Sequence, residues 1–148
     1  ILPRGRLHPM TQTYREIRNA LIGMGFSTFD SPEVELDEYN FTMLNVPPDH
    51  SARDMQDTFY VNEKVVLRTH TSPGEIRALT TLKPPFRLVI PGRCFRVDEV
   101  DASHSPIFMQ MEGLVVDKNM VRLIVITIKI RQRDCFMGVF DYYTVRAA

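Results

Sequence analysis

A short apolar segment in the second half of the chain, PIFMQMEGLVVD, carries two polar side chains on one face. Its residues alternate as in a β-strand, in which positions two apart point to the same side. Gln110 and Glu112 therefore share a face within a strand that also holds Phe108, Leu114 and Val116. A carboxylate removed from water without a partner costs several kcal/mol or becomes protonated. The segment predicts a buried polar site in which a cation, from the protein or from a ligand, meets Glu112.

The size and charge of the chain predict one soluble globular domain. It has 148 residues, of which 44% are hydrophobic and 24% charged. Its 18 basic residues balance 18 acidic ones, so net charge gives no support for a large nucleic-acid-binding surface, although a local patch or a partner subunit could supply one. The run LIVITIKI is too short to cross a bilayer, the N-terminus lacks the apolar core of a signal peptide, and the two cysteines form no zinc pattern. We expect a cytoplasmic protein without a membrane segment.

The chain begins with a predicted helix over residues 13–24, in which apolar side chains recur at helical spacing. Thr13 and Glu16 have the spacing of a capping box at its start. Gly25 follows the helix, at a position that commonly takes a left-handed conformation. These signals predict where the helix begins and ends.

A second helix is predicted from Ser72 to Leu82. Ser72 is the predicted N-cap, Pro73 the first helical residue and Glu75 the capping-box carboxylate. The other predicted elements are strands at FSTF and EVEL, a short helix in DEYNFTMLNVP, a hairpin of DTFYV and VVLRTH, strands at FRLVIPG, RCFRV and FMQMEGLVV, and tail strands at LIVITIKI and VFDYYTV. This order is not a strict βαβ alternation, so the predicted fold class is α+β.

Four short pieces of sequence carry the residue types of a ligand site: RTHTSP, GRCFRVD, DASHSP and QMEG. Arg96 lies on a strand predicted to pair with that of Gln110 and Glu112, and its planar fork can bind a phosphate or a carboxylate. Gln110 and Glu112 form an acceptor pair for a primary ammonium group, and Ser72 adds a hydroxyl or simply caps its helix. The loop after Arg96 suits a polyphosphate, its metal ions and a base edge, because it holds Asp98, Glu99, Asp101 and His104. Together these charges fit an α-amino acid beside a nucleotide.

Each of these residues has a simpler interpretation when it is taken alone. Glu112 can be a carboxylate paired with an arginine of the protein, His70 and His104 can be ordinary polar residues, and Ser72 can act only as a cap. A metal triad of the two histidines with Glu112 is a further alternative, although nothing places the three on one element. The joint order of the four pieces favours the ligand site.

The same pieces stand in a longer stretch that resembles one family. LHPMTQTYREI, YNFTMLNVPPDHSARDMQDTFYV, LRTHTSP and PPFRLVIPGRCFRVDEVDASHSPIFMQMEGLVVDK are similar to the α subunits of bacterial phenylalanyl-tRNA synthetases, which are class II enzymes. The resemblance runs almost without interruption from Gly5 to Lys118. It implies an antiparallel sheet flanked by helices, part of a class II aminoacyl-tRNA synthetase-like catalytic core.

The resemblance also implies roles for residues, by their position in the family's motifs. The first helix and the segment around Pro32 would form motif 1, which builds a subunit interface, and FRVDEVDASHSPIFMQMEG would form motif 2. Arg96 would be the catalytic residue that holds the α-phosphate of ATP and the carboxylate of the amino acid. Asp98 would lie near the adenine and His104 near the terminal phosphates. The phenylalanine site would be lined by His70, Ser72, Gln110, Glu112 and Gln56.

The reaction implied by the resemblance joins L-phenylalanine to ATP, with Mg²⁺, and gives phenylalanyl-adenylate and pyrophosphate. The aminoacyl group would then pass to tRNA(Phe). The implied protein partners are a β subunit and a second copy of the chain, in a homodimer contact around Pro32. No protein ligands of a metal ion are assigned.

The resemblance ends after Lys118, and the sequence holds no glycine-rich motif 3 that ends in arginine. We therefore expect residues 1–118 to form the synthetase-like core, and residues 119–148 to be a diverged tail that completes or extends the same domain. The alternative function is a non-catalytic remnant that binds an amino acid, a nucleotide or a partner subunit. If the chain is an incomplete fragment, LIVITIKI would instead pair with another chain.

Overall fold

A computed structural model describes residues 5–49, 58–97, 105–117, 120–130 and 135–145 of the chain. The helices are α1 (Pro9–Gly23), α2 (Asp37–Asn40), a 3₁₀ turn (Thr42–Leu44) and α3 (Pro73–Thr81). The strands are β1 (Ser27–Thr28), β2 (Val34–Leu36), β3 (Tyr60–Asn62), β4 (Val65–Leu67), β5 (Phe86–Phe95), β6 (Ile107–Asp117), β7 (Met120–Ile130) and β8 (Cys135–Val145). Within the described ranges no helix is both long enough and apolar enough to span a bilayer.

The strands form two sheets, which confirms the predicted α+β class. The larger sheet has the order β1-β5-β6-β7-β8, in which β1 runs parallel to β5 and the other neighbours are antiparallel. The smaller sheet is antiparallel, in the order β2-β4-β3. The predicted hairpin of β3 and β4 and the predicted tail strands are therefore confirmed. The division of the chain at residue 118 stays a prediction.

Two helices cover opposite faces of the larger sheet. Alternate residues of a strand point to opposite sides, and β5 supplies both. Val89 packs in a core cluster with Tyr14, Ile17 and Leu21 of α1. Leu88 and Ile90 pack with Ala78 of α3 on the other face.

The polar pair of β6 lies on the face that α3 covers. In the register of β5 and β6, Glu112 stands opposite Ile90 and Gln110 opposite Gly92. The N-terminus of α3 comes very close to this face, because a Cβ on Gly74 would lie 2.6 Å from the side chain of Ile90. Glycine at this position therefore lets the first turn of α3 approach Glu112.

Helix α1 begins four residues earlier than predicted, at Pro9. The N-cap is His8, whose Nδ1 accepts a hydrogen bond from the backbone N–H of Met10 at 3.2 Å, and Pro9 takes the first helical position. The predicted capping box of Thr13 and Glu16 is therefore wrong. The predicted end is confirmed, since Gly25 follows the helix with a φ of 91°.

Strand β5 is continuous, although FRLVIPG and RCFRV were expected to be separate strands. Pro91 lies inside it and stands opposite Met111 of β6. On its other side, β1 pairs only with Leu88 and Val89 among the described residues. Pro91 therefore lies on the unpaired part of that edge, where its missing N–H interrupts no described ladder.

Candidate functional site

The segment from Arg68 to Ser72 connects β4 to α3 and lies across the α3 face of the larger sheet. It forms hydrogen bonds with three successive residues of this face, one just after β5 and two on β6. Thr69 accepts a hydrogen bond from Arg96, the N–H of Thr71 donates to Gln110, and the hydroxyl of Ser72 donates to Glu112. The segment therefore joins a basic end of the site, at Arg96, to an acidic end, at Glu112.

Arg68 is buried and binds backbone carbonyl groups. Its Nε donates to the carbonyl of Arg93 at 2.8 Å, and its Nη1 donates to the carbonyls of Ser31 and Pro32 at 2.9 and 3.3 Å. Its guanidinium lies directly over Gly92, where a Cβ would be 1.8 Å from Nη2. Arg68 therefore fastens the segment around Pro32 to β5.

Arg96 has hydrogen-bonding capacity left for an anion. Its Nη2 donates weakly to the carbonyl of Thr69 at 3.4 Å, and its guanidinium stacks over the ring of Phe108 with 5.0 Å to the centroid. Its Nε is buried and has no partner among the described residues. A planar fork in this condition can bind a carboxylate or phosphate oxygen.

His70 turns towards α2. Its Nε2 lies 2.8 Å from the carbonyl oxygen of Asn40. Burial lowers the pKa of His70 to about 4, the hydrogen bond to Asn40 opposes this change, and the charge of Arg96 adds to it. The ring is therefore neutral at pH 7, with a proton on Nε2 that it donates and a lone pair on Nδ1.

Gln110 is buried, and its carbonyl oxygen is fixed by two donors. Oε1 accepts from the N–H of Thr71 at 3.2 Å and from the thiol of Cys94 at 3.4 Å. Burial raises the pKa of Cys94 to about 12, so the thiol keeps its proton and remains a donor. These contacts hold the amide plane of Gln110 beside Glu112.

Glu112 and Glu75 form a pair of buried carboxyl groups at the acidic end of the site. Glu112 is 1% exposed and Glu75, in the first turn of α3, is 6% exposed. The hydroxyl of Ser72 donates to Oε1 of Glu112 at 3.0 Å. Oε2 of Glu112 and Oε1 of Glu75 have no conventional donor among the described residues, and the two carboxyls are hydrogen-bonding neighbours. A proton shared between the carboxyls would satisfy both oxygens.

The protonation of this pair differs from that of ordinary carboxyl groups. Burial raises the pKa of Glu112 to about 7, although the hydroxyl of Ser72, the contacts with Glu75 and Thr71 and the charge of Arg68 all lower it. Burial raises the pKa of Glu75 to about 9, and the charge of Glu112 adds to this effect. In the described part of the chain, the ion pairs are those of Arg77 with Glu35 and Arg93 with Glu33, so neither buried carboxyl has a cationic partner. The cation predicted for Glu112 is therefore not supplied by these residues.

Ser72 is the N-cap residue of α3, as predicted. The predicted capping hydrogen bond of its side chain is wrong. Ser72 occupies the N-cap, but its hydroxyl makes no capping hydrogen bond and instead donates to Glu112. The capping-box spacing predicts for Glu75 a role at the helix start and no place in the site. Glu75 follows Ser72 by three residues, and residues three apart lie on the same helix face. A contact between Ser72 and Glu112 therefore also predicts that Glu75 lies near Glu112.

Three predicted site residues, Gln56, Asp98 and His104, lie outside the described residues. Within the described ranges, no group of three or more histidine, cysteine, aspartate or glutamate side chains is arranged to hold a metal ion. The alternative triad of His70, His104 and Glu112 is not tested, because His104 lies outside the described residues.

Comparison with known proteins places the chain in one family. The family model of the tRNA synthetases class II core domain (F) matches residues 1–136. The phenylalanine–tRNA ligase alpha subunit of Acetivibrio thermocellus is 55% identical over 114 residues, which are 77% of this chain and 34% of the relative. The alpha subunit of Clostridium botulinum is 54% identical over the same share of each protein. The chain thus spans about a third of the length of the curated relatives it matches.

A solved structure supports the fold independently of close sequence similarity. The pyrrolysyl tRNA synthetase PylSc of Desulfitobacterium hafniense superposes with a TM-score of 0.58 at 15% identity, covering 80% of this chain and 55% of that one. At this identity the likeness concerns the fold alone. The family model also extends beyond Lys118, where the resemblance was expected to end, into β8.

Proposed function

This chain belongs to the family of tRNA synthetase class II core domains, and we propose that it forms the part of a phenylalanine–tRNA ligase alpha subunit that binds and activates phenylalanine. The proposal covers the first half-reaction, in which the carboxylate of phenylalanine attacks the α-phosphate of ATP and pyrophosphate leaves. Transfer to tRNA(Phe) belongs to the whole synthetase, of which this chain matches about a third.

The observation that carries the proposal is the separation of charge along the segment from Arg68 to Ser72. The Nε of Arg96 has no hydrogen-bond partner at one end, and Glu112 and Glu75 lack a cation at the other, within the described residues. An α-amino acid has a carboxylate and an ammonium group on one carbon, so a single molecule can complete both ends. Two separate ions could also neutralise the two ends. They would lack the gain in affinity that comes from carrying both charges on one molecule.

Each proposed role follows from a contact. Arg96 binds the carboxylate and the α-phosphate together, and neutralises the charge that concentrates between them as the new bond forms. Glu112 accepts hydrogen bonds from the ammonium group, and Gln110 and Ser72 lie beside it. The hydroxyl of Ser72 orients Oε1 of Glu112 for this contact. His70 stays neutral at pH 7 and lines the site without adding charge.

The finer roles of other residues rest on the resemblance. Asp98 is proposed near the adenine, His104 near the terminal phosphates, and Gln56 beside the phenylalanine. Class II synthetases generally use ATP with Mg²⁺, which supplies charge neutralisation on the phosphates.

The proposed partners are those of a synthetase alpha subunit. They are a β subunit, tRNA(Phe) and a second copy of the chain, which would bind through the segment around Pro32. The proposed location is the cytoplasm. The contact at Pro32 is supported by exposed apolar side chains on the adjoining β2, where Val34 and Leu36 are 53% and 42% exposed. Arg68 links this segment to the site through the carbonyls of Ser31 and Pro32.

Phenylalanine-dependent exchange of pyrophosphate into ATP tests the proposal. We expect exchange by the 148-residue chain, and loss of at least about 100-fold in Arg96→Ala and in Glu112→Gln, because each removes one end of the site. The matched control is Glu33→Gln, which neutralises an exposed carboxylate paired with Arg93 and should leave exchange unchanged. A folded chain that binds phenylalanine saturably but exchanges nothing would support the non-catalytic binding module instead.

A further inference from the structure

We propose that Glu75 is a further ligand-binding residue, and that Glu75 and Glu112 together form a proton-sharing pair that gives up its proton when a primary ammonium group binds. The inference rests on the proposed function for the identity of the ligand, L-phenylalanine. It adds a residue to the site and makes binding of the amine depend on pH.

The geometry places both carboxyls in one closed environment. Glu112 is 1% and Glu75 6% exposed, so water reaches neither freely. Each presents one buried oxygen, Oε2 of Glu112 and Oε1 of Glu75, that accepts no hydrogen bond from a conventional donor among the described residues. Two adjacent carboxyl groups in such a site cannot both ionise at low cost. Before an ammonium group binds, the pair therefore retains a proton between these oxygens.

The groups that face the pair do not replace this proton. Arg68, from the segment after β4, lowers the pKa of Glu112, but its guanidinium donates to the carbonyls of Arg93, Ser31 and Pro32. Cys94 of β5 is a neutral thiol. On α3, Arg77 is bound to Glu35, with Nε 2.8 Å from Oε2. Arg96 and the neutral His70 also lie at the site, and the charge of Glu33 acts on Cys94. The side chain of Thr71 lowers the pKa of Glu112, but its hydroxyl makes no hydrogen bond with a described residue.

An ammonium group would change the balance. Its three N–H donors can take the place of the shared proton on both free oxygens, and its charge favours ionisation of both carboxyls. The shared proton then passes to the buffer. The ammonium of the ligand keeps its own protons, so binding releases about one proton across the range in which the pair is otherwise protonated.

Titration calorimetry of L-phenylalanine measures this proton directly. The wild-type chain, Glu75→Gln and Glu33→Gln are compared in pairs of buffers with different ionisation enthalpies, between about pH 6 and about pH 8.5, where free glutamate is fully ionised. We expect the wild type and Glu33→Gln to release a proton when phenylalanine binds. Their affinity for phenylalanine should rise by up to about tenfold for each unit by which the pH increases. Glu75→Gln should release much less and show a flatter affinity profile above pH 7, because the amide cannot ionise.

The outcomes separate the two claims. Tight binding of phenylalanine with no proton release, or a pH profile that Glu75→Gln leaves unchanged, would overturn the inference while the proposed function stands. The absence of phenylalanine binding at every pH would overturn the proposed function and remove the ligand of the pair. The folded state of Glu75→Gln is checked separately by its thermal transition at pH 5, where both side chains are neutral in the folded protein.

Discussion

At the scale of single residues, the buried carboxyls of Glu75 and Glu112 cost folding free energy whenever the unfolded chain would ionise them. The ordinary pKa of glutamate is about 4.5, and burial raises that of Glu75 to about 9 in the folded chain. The unfolded state therefore loses its proton first as the pH rises. The contribution of Glu75 to stability is complete below pH 4.5 and is lost progressively up to about pH 9.

Replacing Glu75 by glutamine should remove this pH dependence. Relative to pH 5, the wild-type free energy of unfolding at pH 8 should fall by at least about 1.4 kcal/mol more than that of Glu75→Gln, since one pKa unit corresponds to that amount. Urea unfolding at the two pH values measures the difference. Equal pH dependence in the two proteins would show that Glu75 ionises normally in the folded chain.

The sequence allowed Gln110 and Glu112 to be placed on one strand and Arg96 next to its neighbour, because alternation and the intervening polar loop are local signals. Arg96 was predicted on that neighbouring strand, but it lies one residue beyond the end of β5. It did not allow the partner of Glu112 to be identified. Ser72 satisfies every local rule for a side-chain cap, yet its hydroxyl turns to a residue 40 positions away. Such a choice depends on tertiary contacts, which compete with capping and cannot be found from spacing along the chain.

At the scale of elements, the site depends on how closely the segment from Arg68 to Ser72 approaches β5. A methyl group at position 92 would lie 1.8 Å from Nη2 of Arg68, so Gly92→Ala must displace the guanidinium from its carbonyl partners. We expect a loss of about 1–3 kcal/mol in the free energy of unfolding, with weaker phenylalanine binding.

Gly23→Ala is the matched control, because nothing lies within 4 Å of its Cβ position at the end of α1. This variant should be neutral or stabilised by up to about 1 kcal/mol, since alanine is the better helix former. Chemical denaturation of both variants compares the two glycines. Equal stability of Gly92→Ala and the wild type would contradict the close approach of Arg68.

A buried ion pair ties α3 to β2. Glu35 is 1% exposed and binds Arg77 through two contacts, and the guanidinium of Arg77 also lies 4.7 Å from the ring centroid of Tyr39. Glu35→Gln leaves a partly exposed guanidinium without its carboxylate, and should cost about 1–3 kcal/mol. Glu33→Gln breaks an exposed pair and should cost less than about 1 kcal/mol. Similar losses in thermal unfolding would show that burial of Glu35 contributes nothing.

Element types were more predictable than element ends. Strands β3 to β6 and helix α3 follow from alternation, turn residues and Pro73. Helix α1 begins at Pro9 because His8 and Pro9 form a start signal that prevails over the capping-box spacing of Thr13 and Glu16. FRLVIPG and RCFRV form one strand instead of the two predicted, because an unpaired sheet edge accommodates Pro91, and only the order of strands reveals such an edge.

At the scale of the whole molecule, β2 is an edge strand with an exposed apolar surface. If a second copy binds there, Val34→Glu should convert a dimer to a monomer, because it places a charge in the contact. Val61→Glu is the control, since Val61 is 61% exposed on β3, at the opposite edge of the same sheet. Light scattering during gel filtration measures both. A wild-type monomer, or equal effects of the two variants, would contradict the Pro32 contact.

The family was recognisable from sequence because its motifs lie close together in the chain, whereas the ordinary composition and zero net charge gave no functional signal. The tail was harder to interpret, since β7 and β8 carry no chemical motif. Their backbone nevertheless extends the sheet next to β6, from the pairing of Met111 with Ile126 to that of Asp117 with Met120. Strand pairing of this kind depends on β-propensity more than on particular residues.

The central claim is that one ligand joins the acidic and basic ends of the site. Calorimetric binding of L-phenylalanine, 3-phenylpropionate and phenethylamine tests it most directly, because the two analogues lack the ammonium and the carboxylate respectively. We predict that each analogue binds at least about 30-fold more weakly than phenylalanine, since each leaves a buried charged group unpaired. In Glu112→Gln the advantage of phenylalanine over 3-phenylpropionate should largely disappear. Binding of 3-phenylpropionate as tight as that of phenylalanine to the wild-type chain would contradict the account.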